Sequence, residues 1–217
     1  MKRLPRLALA AALFVGSLAG IPSLAFAGNL PAAIDGSVAV MHTNDIHGSY
    51  KYSYNESKGT GTVGFDGLAV LYSAQSSAPD LLLDAGDTFH GQSFATMSEG
   101  KSIAELMDTF YADGYDATTP GNHDWSYGAD KLRTMTGYSA TGTPFAMLCA
   151  NAKSTGGVWS SSITKTLDRN WEDSEDHSTF DYKIKVGVVG AMDESLGSSL
   201  RADLVAGTSF SSATNAI

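Results

Sequence analysis

The 217-residue chain has one cysteine, Cys149, so no intramolecular disulfide can form, and no second soft ligand stands near it to complete a thiolate metal site. A disulfide scaffold and a zinc finger are excluded. Cations are scarce as well: 14 Lys+Arg face 23 Asp+Glu, for a net charge of −9. Three of those cations, Lys2, Arg3 and Arg6, fall in a segment expected to be removed, which makes the remainder more acidic still. Such a chain is poorly matched to a polyanionic backbone, and its charge argues against general nucleic-acid binding. No G-x-x-x-x-G-K-[ST] occurs, and the glycine-rich stretch 59–64 lacks the Lys and the strand-to-helix setting of a phosphate loop.

At the N-terminus, Lys2, Arg3 and Arg6 precede an apolar run from Leu7 to Ala19 and a small-residue end, Ala25-Phe26-Ala27. That order is the signature of a secretory signal peptide over residues 1–27, with cleavage expected after Ala27. The apolar run is shorter than the roughly 18 to 20 residues that a membrane span needs, so the mature chain is expected to lack a transmembrane segment. Residues 28–37 read as a linker into a folded domain over 38–217. The implied location is secreted, periplasmic or at the cell surface.

Within that domain, the β-prone stretch 38–43 and the run 80–84, with three consecutive leucines, are predicted buried strands. Residues 115–119, 145–150 and 182–189 are predicted as further strands, the last two flanking a polar, hairpin-like region. Helices are predicted over 65–77, 102–111 and 126–138. In the second, Ile103, Leu106, Met107, Phe110 and Tyr111 recur at the spacing of one apolar face. Alternating strands and helices imply an α/β fold with a mostly parallel sheet. The acidic stretch 168–181 does not match an EF-hand and is predicted as a solvated loop.

Three polar clusters follow predicted strands: Asp45-Ile46-His47-Gly48, Gly86-Asp87 and Gly121-Asn122-His123-Asp124. The carboxyl ends of parallel strands open on one edge, where ligands bind, so these clusters are expected to meet. Together they offer carboxylates, imidazoles and an amide, a donor set suited to Zn, Mn or Fe at a hydrolytic site. If the chain stays extended past the first strand, Asp45 and His47 point to one side and can share a metal. Asp87 has two oxygens with which to bridge two cations about 3.5 to 4 Å apart, and Asn122 offers a carbonyl oxygen to the second. Each cluster alone has a structural explanation, since an Asp after a strand is often a cap or an Asx-turn. Gly-Asn-His-Asp, however, is expected only on the order of once in a few hundred thousand positions at average residue usage.

The segments HTNDIHG at 42–48, LLLDAGDTFHGQ at 81–92 and TPGNHDWSYG at 119–128 resemble the first three signature motifs of the calcineurin-like metallophosphoesterases, in particular the secreted 5′-nucleotidase and UDP-sugar hydrolase branch. Asn151 and the segment KIKVGVVGAMDES sit where that branch has matching stretches. The resemblance implies a layered β-sheet sandwich flanked by helices, incomplete at its C-terminus. It also implies two divalent metal ions, with Asp45 and His47 on the first, Asp87 bridging, Asn122 on the second, and His123 as the catalytic histidine near the leaving group. The substrate implied is a small phosphate ester, with nucleotides the expected class, and not a nucleic-acid polymer. His42 and His90 fall off the metal-ligand positions and are assigned to packing or site lining, and His177 to solvent. Two departures stand out. Where the branch orients its catalytic histidine with an Asp three residues later, this chain has Ser126. The later histidine ligands and the C-terminal domain that grips the nucleoside in that branch are also missing, so the chain is expected to be the first part of a longer protein. The alternative is a non-catalytic fragment or surface interaction module with an incomplete metal site.

Overall fold

A computed structural model of the chain describes residues 37–217 apart from 76–77, 111–113, 138–144, 156–158 and 174. The predicted signal peptide and nearly all of the linker lie outside the described residues. Strand β1 (Val40–Thr43) leads into a small hairpin, β2 (Ser53–Asn55) and β3 (Thr60–Thr62), then helix α1 (Phe65–Ser73) and strand β4 (Leu81–Asp84). Helices α2 (Ser93–Thr96) and α3 (Lys101–Thr109) follow, then β5 (Ala117–Thr118), α4 (Ala129–Arg133), β6 (Ala146–Met147) and β7 (Ala152–Ser154). The chain then forms β8 (Ser162–Glu172), β9 (Thr179–Val189), α5 (Leu196–Ser199), β10 (Thr208–Phe210) and α6 (Ala213–Ala216).

The sheet order is β1-β4-β5-β6, and every pairing in it is parallel, as the alternation of elements implied. Helices flank it through one apolar cluster. Ile103 and Met107 of α3 are fully buried, and Phe65 at the start of α1 meets the rings of Phe110 and Tyr115 at centroid distances of 5.9 and 6.4 Å. Burying a ring of this size contributes roughly 1.5 to 3 kcal/mol, so this contact does much to pin α1 and α3 to the sheet. Among the described residues no helix is long and apolar enough to cross a membrane.

Several boundaries differ from the sequence reading. Helix α1 ends at Ser73 and α3 at Thr109, where Phe110 has already turned to extended backbone. The helix expected over 126–138 is broken: a 3-10 turn over His123–Tyr127 is separated from α4 by Gly128, whose φ of 86° no helix can accommodate, and a second 3-10 turn covers Met135–Gly137. The strand expected over 38–43 is not buried. Val40 is 47% exposed and His42 is exposed, because β1 is the edge of the sheet.

The acidic stretch 168–181 is not a loop. Most of it belongs to the 11-residue strands β8 and β9, paired antiparallel from Ser162↔Val189 to Glu172↔Thr179. The charges are tolerated in strands because the pairing partly neutralises them. Asp168 stands opposite Lys183 and ion-pairs with it, and Asn170 donates to Asp181 at 2.9 Å. The hairpin also grips the sheet through two aspartates that precede its strands: Arg169 pairs with Asp80 at 2.6 Å, and Lys165 with Asp116 at 2.6 Å.

At the opposite, carboxyl end of the sheet, Asp84 closes β4. Its neighbours in register are Thr43 on β1 and Thr118 on β5, and both hydroxyls donate to its carboxylate, at 2.8 and 2.7 Å. Thr88 adds a third at 2.9 Å, and Gly86 N–H a fourth contact at 3.2 Å. Burial raises the Asp84 carboxyl above the usual carboxylate range, while these donors pull the other way. Replacing Asp84 by Ala removes the shared acceptor of three buried hydroxyls at once and leaves them the longer contacts to Tyr115, Gly86 and Thr119, at 3.2, 3.4 and 3.5 Å, at a cost of about 1 kcal/mol each. The Asp84→Ala chain should therefore unfold at a clearly lower urea midpoint than the parent. An unchanged midpoint would remove the carboxylate from any structural role.

Candidate metal centre

Each loop above the Asp84 girdle has a reason for its path. The chain leaving β1 runs along the chain leaving β4 and exchanges backbone hydrogen bonds with it: Asp45 N–H to Gly86 C=O at 2.9 Å, His47 N–H to Asp87 C=O at 2.8 Å, and Gly48 N–H to Thr88 C=O at 2.9 Å. Ile46 turns into the core, leaving Asp45 and His47 to the surface on either side of it. This path is not the extended one inferred from the Asp-x-His spacing. Asp45, His47 and Asp87 have φ values of 57°, 51° and 54°, in the left-handed region where a non-glycine residue costs about 1 kcal/mol or more. Convergence is reached by strained turns held by the neighbouring loop.

The ligand atoms of Asp45, His47 and Asp87 lie within 4.8 Å of one another, and His47 Nε2 is 3.5 Å from Asp45 Oδ1. With metal–ligand bonds of roughly 2.0 to 2.2 Å, the 3.5 Å between His47 and Asp45 fits a shared cation, and Asp87 stands close enough to join them with a small shift. Among the described residues neither Asp45 nor Asp87 is ion-paired with Lys or Arg, so their charge is left for a cation to balance. Asp87 Oδ1 accepts the N–H of His123 at 2.8 Å. That leaves one lone pair on Oδ1 and both on Oδ2, enough for a carboxylate serving two cations.

The third cluster is brought in by Asp124, a residue to which the sequence reading gave no role. Its fully buried carboxylate accepts four backbone N–H groups: Thr88 and Phe89 on Oδ1 at 3.0 and 2.7 Å, and Asp87 and Gly121 on Oδ2, both at 2.8 Å. Burial pushes this carboxyl up to about 7, the N–H donors of Gly121 and Phe89 pull against that, and the Asp84 and Asp87 charges reinforce it. An acidic residue immediately after the histidine, following a strand, was the available clue. What it caps is three residues of another loop, which spacing alone does not reveal.

The same clamp sets Asn122 and His123 beside Asp87. Both are exposed, and the chain on either side of Asn122 touches the Asp87 carboxylate: His123 through its N–H, Gly121 through contact so close that a Cβ there would fall 2.1 Å from Oδ1. The His123 ring meets the His47 ring edge-on at 5.0 Å. His90 is half-buried nearby, its ring 6.2 Å from that of His123, whereas His42 is exposed on β1 and neither packs inside nor belongs to this cluster of rings. His177 is exposed in the β8–β9 turn, 2.7 Å from Glu172. Asn151 is fully buried and bonded on both sides of its amide, donating to the carbonyls of Met192 and Ser211 and accepting from Met192 N–H, so its role is to tie segments together. Burial raises the Cys149 thiol to about 11, keeping it protonated and unreactive.

The family model for calcineurin-like phosphoesterases matches residues 38–187. The chain belongs to that family. Rat (Rattus norvegicus) 5′-nucleotidase is 30% identical over 133 residues, covering 58% of this chain and 22% of the relative. Endonuclease YhcR of Bacillus subtilis strain 168 is 30% identical over 133 residues, covering 52% of this chain and 10% of that protein. The crystal structure of calcineurin-like phosphoesterase YfkN from Bacillus subtilis superposes with a TM-score of 0.58 at 20% identity, over 82% of this chain and 55% of that one. This chain thus spans about a fifth of the nucleotidase it matches, and the structural likeness carries the fold. It is a member of the calcineurin-like phosphoesterase family with similarity to 5′-nucleotidases.

Two substitutions test the clamp. Gly121→Ala should push Asp87 aside and weaken Mn²⁺ or Zn²⁺ binding, read by calorimetry, with little loss of secondary structure. Asp124→Asn should cost about 3 kcal/mol in chemical denaturation, since an amide NH₂ would face donors that it cannot satisfy. Wild-type metal affinity in both variants would separate Asp87 from its backbone supports.

Proposed function

We propose that this chain provides the metal-binding and proton-donating part of an exported phosphoester hydrolase acting on nucleotides. The observation that carries the reading is the convergence of Asp45, His47 and Asp87 at one rim, with His123 against them. Asp45 and His47 would hold one divalent cation, Asp87 would be shared, and Asn122 would serve the second, the cations being Zn, Mn or Fe. Bound there, such cations supply Lewis-acid neutralisation of phosphate charge and make a water acidic enough to attack at neutral pH.

The chain's own residues do the rest. Gly121 and His123 hold the Asp87 carboxylate in one orientation, so the phosphate meets a site that needs no rearrangement. The exposed His123 imidazole donates a proton to the oxygen of the departing alcohol, and no covalent intermediate on the protein is required. The nucleotide class rests on the 5′-nucleotidase relatives, and export on the basic, apolar, small-residue order of residues 1–27.

A second reading, a site that binds a single cation and does not turn over, is favoured by the one group of three ligand side chains, Asp45, His47 and Asp87, found among the described residues. Metal counting on dialysed protein separates the two: two equivalents with turnover of nucleoside 5′-monophosphates supports the hydrolase, and one or none supports the incomplete site. Activity should vanish with chelator and return on adding Mn²⁺ or Zn²⁺, and full activity in chelator would overturn the metal mechanism. His123→Ala should lower kcat about 100-fold with metal content unchanged. If metal content falls in step with activity, His123 is a ligand and not the proton donor.

A further inference from the structure

The orientation of His123 is an open problem in this chain, because Ser126 stands where a carboxylate was expected. Among the described residues no hydrogen bond joins Ser126 to His123, and no side chain bonds a nitrogen of the His123 ring. What flanks that ring is aromatic. His47 meets it edge-on at 5.0 Å, and His90 lies nearly parallel to it, at 12° with centroids 6.2 Å apart, within the range of offset-stacked pairs. Behind His90, the ring of Tyr127 closes in at 5.2 Å and 62°.

We infer that His90 is the positioning residue for His123, a ring plate that holds the catalytic imidazole toward Asp87 in place of the missing carboxylate. The inference rests on the phosphoester reading of the site. His90 is itself firmly mounted. The residue before it, Phe89, is fully buried with its N–H on Asp124, and the residue after it, Gly91, runs so close to His47 that a Cβ would fall 2.4 Å from the His47 carbonyl oxygen. A plate in this place must be uncharged, or it would repel the protonated His123 that donates to the leaving group. Among the described residues His90 Nδ1 is buried with no hydrogen-bond partner, a setting that tolerates a bare lone pair far better than an unsatisfied N–H of an imidazolium. Burial, and then the neighbouring His123 and His47, draw its pKa below the ordinary histidine value.

The test compares His90→Ala, which removes the plate, with His90→Phe, which keeps a neutral ring, both as the full chain loaded with Mn²⁺. Two esters are used: an alkyl phosphate, whose alkoxide needs a proton to depart, and 4-nitrophenyl phosphate, whose phenolate does not. His90→Ala should lose about tenfold in kcat on the alkyl ester with KM and metal content unchanged, and much less on the aryl ester. His90→Phe should restore most of the loss. Equal losses on both esters, no loss, or a failure of Phe to rescue would overturn the inference. Carbon-13 relaxation of the His123 Cε1–H in metal-free protein gives a reading independent of turnover: the ring should be mobile in His90→Ala and ordered in His90→Phe. If the wild-type chain hydrolyses neither ester, the phosphoesterase reading falls, and the relaxation measurement alone decides whether His90 positions His123. A ring equally ordered in all three proteins would then overturn it.

Discussion

The rim depends on a buried carboxylate that belongs to no reacting group. Asp124 gathers the N–H groups of Asp87, Thr88, Phe89 and Gly121, and in doing so joins the loop after β4 to the loop after β5. Leaving those donors unsatisfied would cost about 1 to 3 kcal/mol apiece. One side chain thus keeps Asp87 in a left-handed backbone conformation that it would otherwise abandon. Below it, the Asp84 carboxylate at the end of β4 ties in β1 through Thr43, β5 through Thr118 and the loop after β4 through Thr88. Two buried acids, one above the other, turn a short parallel sheet into a platform.

That arrangement separates the groups that build the site from the groups that face solvent. Asp45, Asn122 and His123 are exposed, whereas Asp84, Asp87, Thr88 and Asp124 are buried. Among the described residues the exposed set has no ion pair with Lys or Arg and is available for exchangeable partners. In the buried set Asp84, Thr88 and Asp124 hold the geometry, while Asp87 keeps lone pairs for a cation. A metal site on a phosphoesterase needs both: ligands preset at bonding separation, and a supporting layer stiff enough to resist the repulsion between carboxylates before a cation arrives.

Much of this was legible in the sequence, because the chemistry is concentrated in short motifs at strand ends. The parallel sheet, the approach of Asp45, His47 and Asp87, and the nearness of His123 follow from three clusters and an alternation of strand and helix. The rest was hidden for physical reasons. The left-handed turns at residues 45, 47 and 87 fall on Asp and His, which adopt them more readily than most side chains, but residue type alone does not say which Asp or His in a chain takes that conformation. The β8–β9 hairpin was masked by its own charges, whose partners stand across the strand pair, as Lys183 does for Asp168, and not alongside in sequence. The break at Gly128 and the exposure of β1 depend on what neighbours do, to which periodicity is blind. His90 lies within the segment 81–92 but off its ligand positions, and only the ring geometry gives it a place beyond packing or site lining.

The bonds of this rim span long stretches of chain: Thr43 reaches 41 residues to Asp84, and Phe89 reaches 35 to Asp124. Closing such loops is entropically slow, and neither is rewarded until both ends are present. During synthesis, the segment carrying Asp45 and His47 emerges well before the acid that secures Asp87. For that interval the growing polypeptide displays carboxylates and imidazoles without the scaffold that aims them, and the rim comes into being only once the stretch around residue 124 has cleared the ribosome.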